Sequence, residues 1–359
     1  MNQSRSWISL TETPGLSGRA VRELIGRFGS PAAVFDATAN ELTSVPGMTP
    51  ELADAILRRE PQAGAEAERR LADLGARLVP FTDPAFPAAL RELPGMPPVL
   101  YVTGALSPRD ERAVAVIGSR RSTPYGRLVA ERLAGELALE GITVVSGLAR
   151  GIDTVAHRAA LEAGGRTIAV LGCGIDRIYP RENRSLRGEV AERGAVVTEF
   201  GLGAPPLARN FPARNRIISG LSLGVVAVEA RMRSGVLSTV RWALEQGREV
   251  FAVPGNIDSP ASEGTNFLIQ EGAKLVRKVE DILEEFGIER TAHGLCGAER
   301  ELTEEESALV ERLSSVPTHI DSIVREMRLS VADALGLLLV LEMKGMVRQV
   351  AGKSFVRTV

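Results

Sequence analysis

Lysine is almost missing from this 359-residue chain: the first is Lys274 and only Lys278, Lys344 and Lys353 follow, so every basic side chain before them is arginine. Alanine and glycine are frequent as well, and genomic bias is a sufficient reason for the choice. Aromatic residues are scarce at 4%, and the two cysteines, Cys173 and Cys296, lie far apart and outside any CxxC spacing. That pattern gives neither a disulfide framework nor a structural zinc site, and both cysteines read as incidental. No apolar run approaches the ~20 residues that span a bilayer. The start, Met1-Asn2-Gln3-Ser4-Arg5-Ser6-Trp7, has no apolar stretch behind a basic head. A cytoplasmic protein with no membrane partner is expected.

Bulk positive charge is lacking too. At a net charge of −2 the chain does not coat nucleic acid indiscriminately, so any anion site has to be local. There is no GxGxxG after the first core strand and no GxxxxGK[ST] anywhere, which weakens dinucleotide and ATP chemistry. No cofactor is expected.

What is present falls into three blocks. Residues 1–79 read as a small all-α module with helices near 18–25, 32–35 and 50–59. Within it, Ser44-Val45-Pro46-Gly47-Met48-Thr49-Pro50 is a glycine turn followed by an N-cap threonine and a proline at the first helical position. This is a helix-hairpin-helix (SAM-like) pattern. Such a hairpin can aim a helix N-terminus at a phosphate, yet Glu51 and Asp54 in the first turn oppose that, so packing or partner contact stands beside DNA contact. A proline-rich passage, 80–98, ends in Val99-Leu100-Tyr101-Val102 and joins the module to the core.

From 112 to 287 short apolar runs alternate with helical stretches, the mark of βαβ units. Candidate strands are 113–117, 143–145, 167–171, 195–198, 225–228 and 250–253, which predicts a Rossmann-like, doubly wound, mostly parallel sheet within a core of 80–287. Residues 288–300 read as a linker. The segment 301–359 offers helices at 303–313, 320–327 and 330–343 and a β-wing at 345–356, the order of a winged helix. Its third helix carries no basic residue, so it is not expected to read duplex sequence. Its apolar surface points to a protein partner, to the core, or to packing within the module.

In an open parallel sheet ligands sit beyond the carboxyl ends of the strands. There the loops are Gly118-Ser119-Arg120-Arg121, Ser146-Gly147-Leu148-Ala149-Arg150-Gly151, Gly172-Cys173-Gly174, Arg231-Met232-Arg233-Ser234-Gly235 and Pro254-Gly255-Asn256. Glycine permits close approach of backbone, while Ser and Arg supply donors: together an anion cradle. Two windows, 118–127 and 209–216, each hold three arginines and no acid. The second, with Arg209, Arg214 and Arg216, also holds Phe211 and Asn215, suited to stacking on an unpaired base. Asp153 and His157 are spaced like an acid–base pair, but helix capping by Asp153 is the simpler reading. No catalytic residue or metal ligand is assigned.

Ala115-Val116-Ile117-Gly118-Ser119-Arg120, Ser146-Gly147-Leu148-Ala149-Arg150-Gly151-Ile152-Asp153, Gly174-Ile175-Asp176 with Tyr179-Pro180, Phe211-Pro212-Ala213-Arg214-Asn215-Arg216 and Ala252-Val253-Pro254-Gly255 resemble, in order, the motif blocks of the DprA (Smf) DNA-processing family. The resemblance is strong over 81–279 and weak in the flanking modules. It implies binding and protection of single-stranded DNA, loading of RecA recombinase during natural transformation, and a homodimer formed through the core. It places DNA contacts on Gly118, Ser119, Arg120, Arg121, Gly147, Arg150, Phe211, Arg214 and Asn215, with Arg209 added from the charge island. Thr239-Val240 departs slightly from the family pattern. The alternative is an enzyme binding or hydrolysing nucleoside monophosphates, of the lysine-decarboxylase-like Rossmann group. That group needs a PGGxGTxxE stretch, and the nearest equivalent, Arg233-Ser234-Gly235-Val236-Leu237-Ser238-Thr239, lacks the double glycine and the glutamate.

Overall fold

The central strands are short, β-branched and buried on both faces, which suits a sheet covered by helices on either side. A computed structural model describes residues 3–59, 64–91, 93, 95–290, 303–314, 316–343, 346–350 and 352–357. Cys296 and positions 291–300 of the expected linker lie outside the described residues.

Six helices come first: α1 (Gln3–Thr11), α2 (Gly18–Phe28), α3 (Pro31–Asp36), α4 (Ala39–Thr43), α5 (Pro50–Leu57) and α6 (Ala65–Asp73). The expected hairpin is formed by α4 and α5, with Gly47 at φ 81° and Thr49 capping α5 by accepting from Leu52 N–H at 3.3 Å. The core follows as β1 (Ala76–Pro80), α7 (Ala88–Arg91), β2 (Val99–Gly104), β3 (Ala113–Ile117), α8 (Pro124–Leu139), β4 (Thr143–Ser146), α9 (Ile152–Glu162), β5 (Thr167–Val170), α10 (Arg184–Arg193), β6 (Ala195–Thr198), α11 (Asn210–Gly220), β7 (Gly224–Ala227), α12 (Gly235–Glu245), β8 (Glu249–Ala252), α13 (Glu263–Gln270), β9 (Lys274–Leu275) and α14 (Glu280–Leu283).

These strands form one nine-stranded sheet in the order β1-β2-β6-β5-β4-β3-β7-β8-β9. From β6 to β9 all pairings are parallel, whereas β2 runs antiparallel to β6 and β1 antiparallel to β2. The six expected strands are all present, so the sheet is larger than read, by β1, β2 and β9. Because β1 begins at Ala76, a core starting at 80 would cut through its first strand.

Side chains alternate across the sheet as the pleat requires. Val114 and Val116 of β3 face Leu133, Leu137 and Ala156 of α8 and α9, while Ala113, Ala115 and Ile117 face Ile217, Ile218 and Val240 of α11 and α12. The helical module is not a free-standing body: Trp7, Leu10, Leu24 and Leu71 share one buried cluster with Tyr101, Leu171, Leu186 and Val190 of the core. An Arg70–Asp176 pair at 3.0 Å ties the two together.

The C-terminal winged helix has its own core, with Leu309, Ile323, Leu338 and Phe355 buried. It comprises α15 (Glu304–Arg312), β10 (Thr318–His319), α16 (Ile320–Met327), α17 (Val331–Met343), β11 (Val347–Val350) and β12 (Ser354–Arg357). Thr303 and Glu306 make a reciprocal capping box on α15, as the sequence suggests. On α17, Val331, Leu335, Leu339 and Val340 are 41–59% exposed, so packing within the module leaves that face uncovered.

Candidate nucleic-acid interface

The strand order reverses between β3 and β7, and an open α/β sheet binds ligands at such a switch point. A cavity of 620 Å³ opens there. Its lining brings together the turn after β3 (Gly118, Ser119, Arg120, Arg121), Ala149 and Asp153 beyond β4, Tyr179, Phe211, Arg214 and Asn215 of α11, and Arg231, Arg233, Ser234 and Gly235 beyond β7.

Each turn is held by a specific contact. Ser119 Oγ accepts from Arg121 N–H at 3.1 Å, tightening the first loop. The first two loops touch through Gly151, whose φ is 76°; a Cβ there would stand 2.2 Å from Ser119 O, so only glycine fits. Glu229, 2% exposed, accepts from the backbone and hydroxyl of Thr123, the N-cap of α8, and so fixes the end of the first loop from beyond the carboxyl end of β7. Ser234, the N-cap of α12, makes no capping bond, so the positive end of that helix opens on the cavity.

The sequence treats its arginines alike, and the structure separates them. Arg120, Arg121, Arg231 and Arg233 are exposed around the cavity and, among the described residues, form no side-chain ion pair or hydrogen bond. Arg120 lies over the Phe211 ring at 4.9 Å.

Arg214 is only 3% exposed, and its guanidinium donates to Gly147 O at 2.9 Å, to Val170 O and to Asn215 Oδ1 at 3.3 Å. It faces Asp153, whose carboxylate accepts from Gly147 N–H at 3.2 Å and Ala149 N–H at 3.3 Å. Burial pushes Arg214 down to about 10 against the pull of Asp153, and it raises the Asp153 carboxyl against the pull of Arg214. This buried pair clamps the carboxyl ends of β4 and β5, so Arg214, expected as a DNA contact, holds the cavity wall together.

Gly147 has the complementary function: a Cβ would stand 2.5 Å from Arg214 Nη2, so glycine makes room for the clamp and does not itself line the cavity. Asn215, 7% exposed, lines the wall but spends its side chain on Arg214 and on Gly235 O at 3.3 Å. Arg150 pairs with Glu182 and is outside the lining, and exposed Arg209 at the N-cap of α11 is outside it as well. Arg216 forms a two-point pair with Glu199, one arm at 2.6 Å, on the far side of α11.

The acid–base idea for Asp153 and His157 does not match their bonding. Thr167 Oγ1 donates to Val144 O at 2.6 Å and so accepts from His157 Nδ1–H at 2.7 Å. The ring is fully buried, and burial together with Arg214 takes its pKa down to about 3. Cys173 is buried, which raises its thiol.

Sequence reasoning placed Arg231, Arg233 and Tyr179 in motifs without assigning them to the site. The signal available was their position after β7, at the switch point, and the small number of aromatic residues in the chain.

A doubly wound sheet with an arginine-lined cavity at its switch point and an appended winged helix defines an α/β protein with a candidate anion site. Residues 77–287 match the family model for DNA recombination-mediator protein A, and 297–353 match that for the DprA winged helix domain. The chain belongs to the DNA recombination-mediator protein A family, DprA or Smf.

Protein Smf of Escherichia coli is 50% identical over 214 residues, covering 59% of this chain and 57% of that protein. The crystal structure of DNA processing protein A from Streptococcus pneumoniae superposes with a TM-score of 0.70 at 35% identity, covering 79% of this chain and 99% of that one. DNA processing protein A from Helicobacter pylori, described for its single-stranded DNA binding mode, gives a TM-score of 0.53 at 31% identity, covering 59% and 95%.

Proposed function

We propose that the cavity at the switch point binds single-stranded DNA, with Arg120, Arg121, Arg231 and Arg233 on the phosphates and the backbone of the Gly118-Ser119 turn close behind them. The observation that carries this reading is the set of four exposed guanidinium groups around one cavity, none in an ion pair or hydrogen bond among the described residues, in a chain of net charge −2. A local cation cluster attracts phosphate without binding every acidic surface. The Helicobacter pylori relative, whose published description concerns single-stranded DNA, supports the choice of polymer. A duplex keeps its bases paired and cannot offer one to a cavity.

On this reading the chain protects incoming single strands and passes them to RecA recombinase during transformation, without a chemical step. The bonding of Asp153 and His157 supports the last point, since both are spent on holding loops and strands together. Homodimerisation through the core is part of the same proposal. Strand β9 leaves that sheet edge open, and Leu275 on it is 40% exposed. The exposed Leu244 of α12, at 65%, offers an apolar contact for a protein partner.

Mobility shifts with oligothymidine and with a duplex of equal length test the core of the proposal. Wild type should retain the single strand and release the duplex under competition. Arg120→Ala combined with Arg121→Ala should lose the single strand, and unchanged retention would remove the proposed phosphate contacts.

A further inference from the structure

The two flanking modules are attached to the core by different physics. The helical module shares a buried apolar cluster with the sheet, so parting them would expose Trp7, Leu24 and Tyr101 to water. The winged helix keeps its apolar cluster to itself, with described members running from Leu309 to Phe355 and none from the core. Val331, Leu335 and Leu339 of α17 stay exposed, so the core does not cover that face.

Contact with the core runs through the wing instead. Arg348 of β11 reaches Glu131 of α8, donating from Nη1 to Oε2 at 2.7 Å and from Nη2 to Oε1 at 2.6 Å. The two side chains are 48% and 33% exposed, so water and salt reach the pair. Glu162 of α9 and Glu342 of α17 add negative charge around the guanidinium. A pair this exposed shifts a docking equilibrium by about fivefold at most.

The same helix also holds the root of the tether. Arg290 pairs with Glu140, near the end of α8, at 3.1 Å, and with Glu280 of α14. Glu140 lies nine residues beyond Glu131 in the chain, about 14 Å along a helix. From Arg290 to Thr303 the chain can reach at most about 45 Å, so the wing never travels far from Glu131. That closeness raises the effective concentration of one partner at the other and makes a weak pair a working attachment.

We infer that Glu131 and Arg348 form a reversible latch that parks the winged helix on α8. With the latch closed, the apolar face of α17 is presented at one fixed place on the core. With it open, the same face sweeps the reach of the tether. Because no shared apolar surface holds the closed form, ionic strength alone moves the balance between the two.

Small-angle X-ray scattering by the full chain tests this first without any substitution. The wild type should be compact in about 0.05 M salt; in about 1 M salt, where the latch is screened, its radius of gyration should rise by about 2 Å at unchanged particle mass. Glu131→Ala and Arg348→Ala should each give the expanded form already at low salt, with the helical circular dichroism of the wild type. The double variant should expand no further than either single one, because both remove the same contact.

Wild-type scattering that ignores salt overturns the inference. So does a Glu131→Ala chain that stays compact at low salt, or a double variant that expands beyond the single ones. Neither reading uses DNA, so the latch stands or falls apart from the single-strand proposal.

Discussion

Arginines that look interchangeable in the sequence sort into two kinds once burial is known. Arg120 and Arg233 are exposed and form no side-chain ion pair or hydrogen bond among the described residues, whereas Arg214 is buried against Asp153 and two carbonyls. Removing one member of a buried charge pair strands the other, at a cost of about 3–5 kcal/mol. Arg214→Met should therefore lower the urea midpoint strongly, while Arg120→Ala, a surface change, should stay within about 0.5 kcal/mol of wild type. Similar stability of the two variants would contradict this sorting.

His157 adds a pH dependence of definite sign. Its folded pKa is about 3 against an ordinary 6.5, so below pH 6.5 the unfolded chain takes up the proton first. The corresponding stability is complete above pH 6.5 and is lost as pH falls toward 3, at about 1.4 kcal/mol per unit. Asp153, raised by burial, works in the opposite direction above its ordinary 3.8. Urea midpoints between pH 7 and 5 should fall less steeply for His157→Gln than for wild type, and parallel slopes would refute the assignment. Neither role was legible in the sequence, where a spacing of four between Asp153 and His157 is the same for a catalytic pair and for two buried side chains that hold different strands.

Elements were more legible than their neighbours in space. The six strands β3 to β8 announce themselves by short β-branched runs, and the α15 capping box by Thr303 and Glu306. Strands β1 and β2 were not read as strands because prolines flank them and no helix crossover links them as in a βαβ unit. Their pairing is antiparallel and fixed by contact with β6. β9 is two residues long, too short for any alternation to show.

The contact between the first two loops depends on Gly151, so Gly151→Ala should separate them and weaken oligothymidine binding, with anisotropy titration as the readout. On α17, adjacent leucines differ: Leu338 is fully buried and Leu339 is 59% exposed. Leu338→Ala should cost the winged helix about 2–5 kcal/mol, and Leu339→Ala under about 0.5 kcal/mol, by chemical denaturation. Equal losses would mean that the exposed face is covered.

For the whole molecule, the three-part order was legible from changes in periodicity, but the shared core of the helical module and the sheet was not. Trp7 and Leu24 meet Tyr101 and Leu171 across long stretches of chain, and nothing in local pattern specifies which apolar faces pair. The cavity was legible as a collection of strand-end turns, since topology alone brings such turns to one edge. Which of their side chains remain free is decided by packing, and that needed coordinates.

Function at this scale comes down to whether the free arginines act together on one polymer. The salt dependence of oligothymidine binding by the full chain measures this most directly. With four phosphates engaged, log K should fall against log salt with a slope of about −2.8, and Arg233→Ala should flatten it by about 0.7. A slope near zero, or one that Arg120→Ala and Arg233→Ala both leave unchanged, would contradict the account.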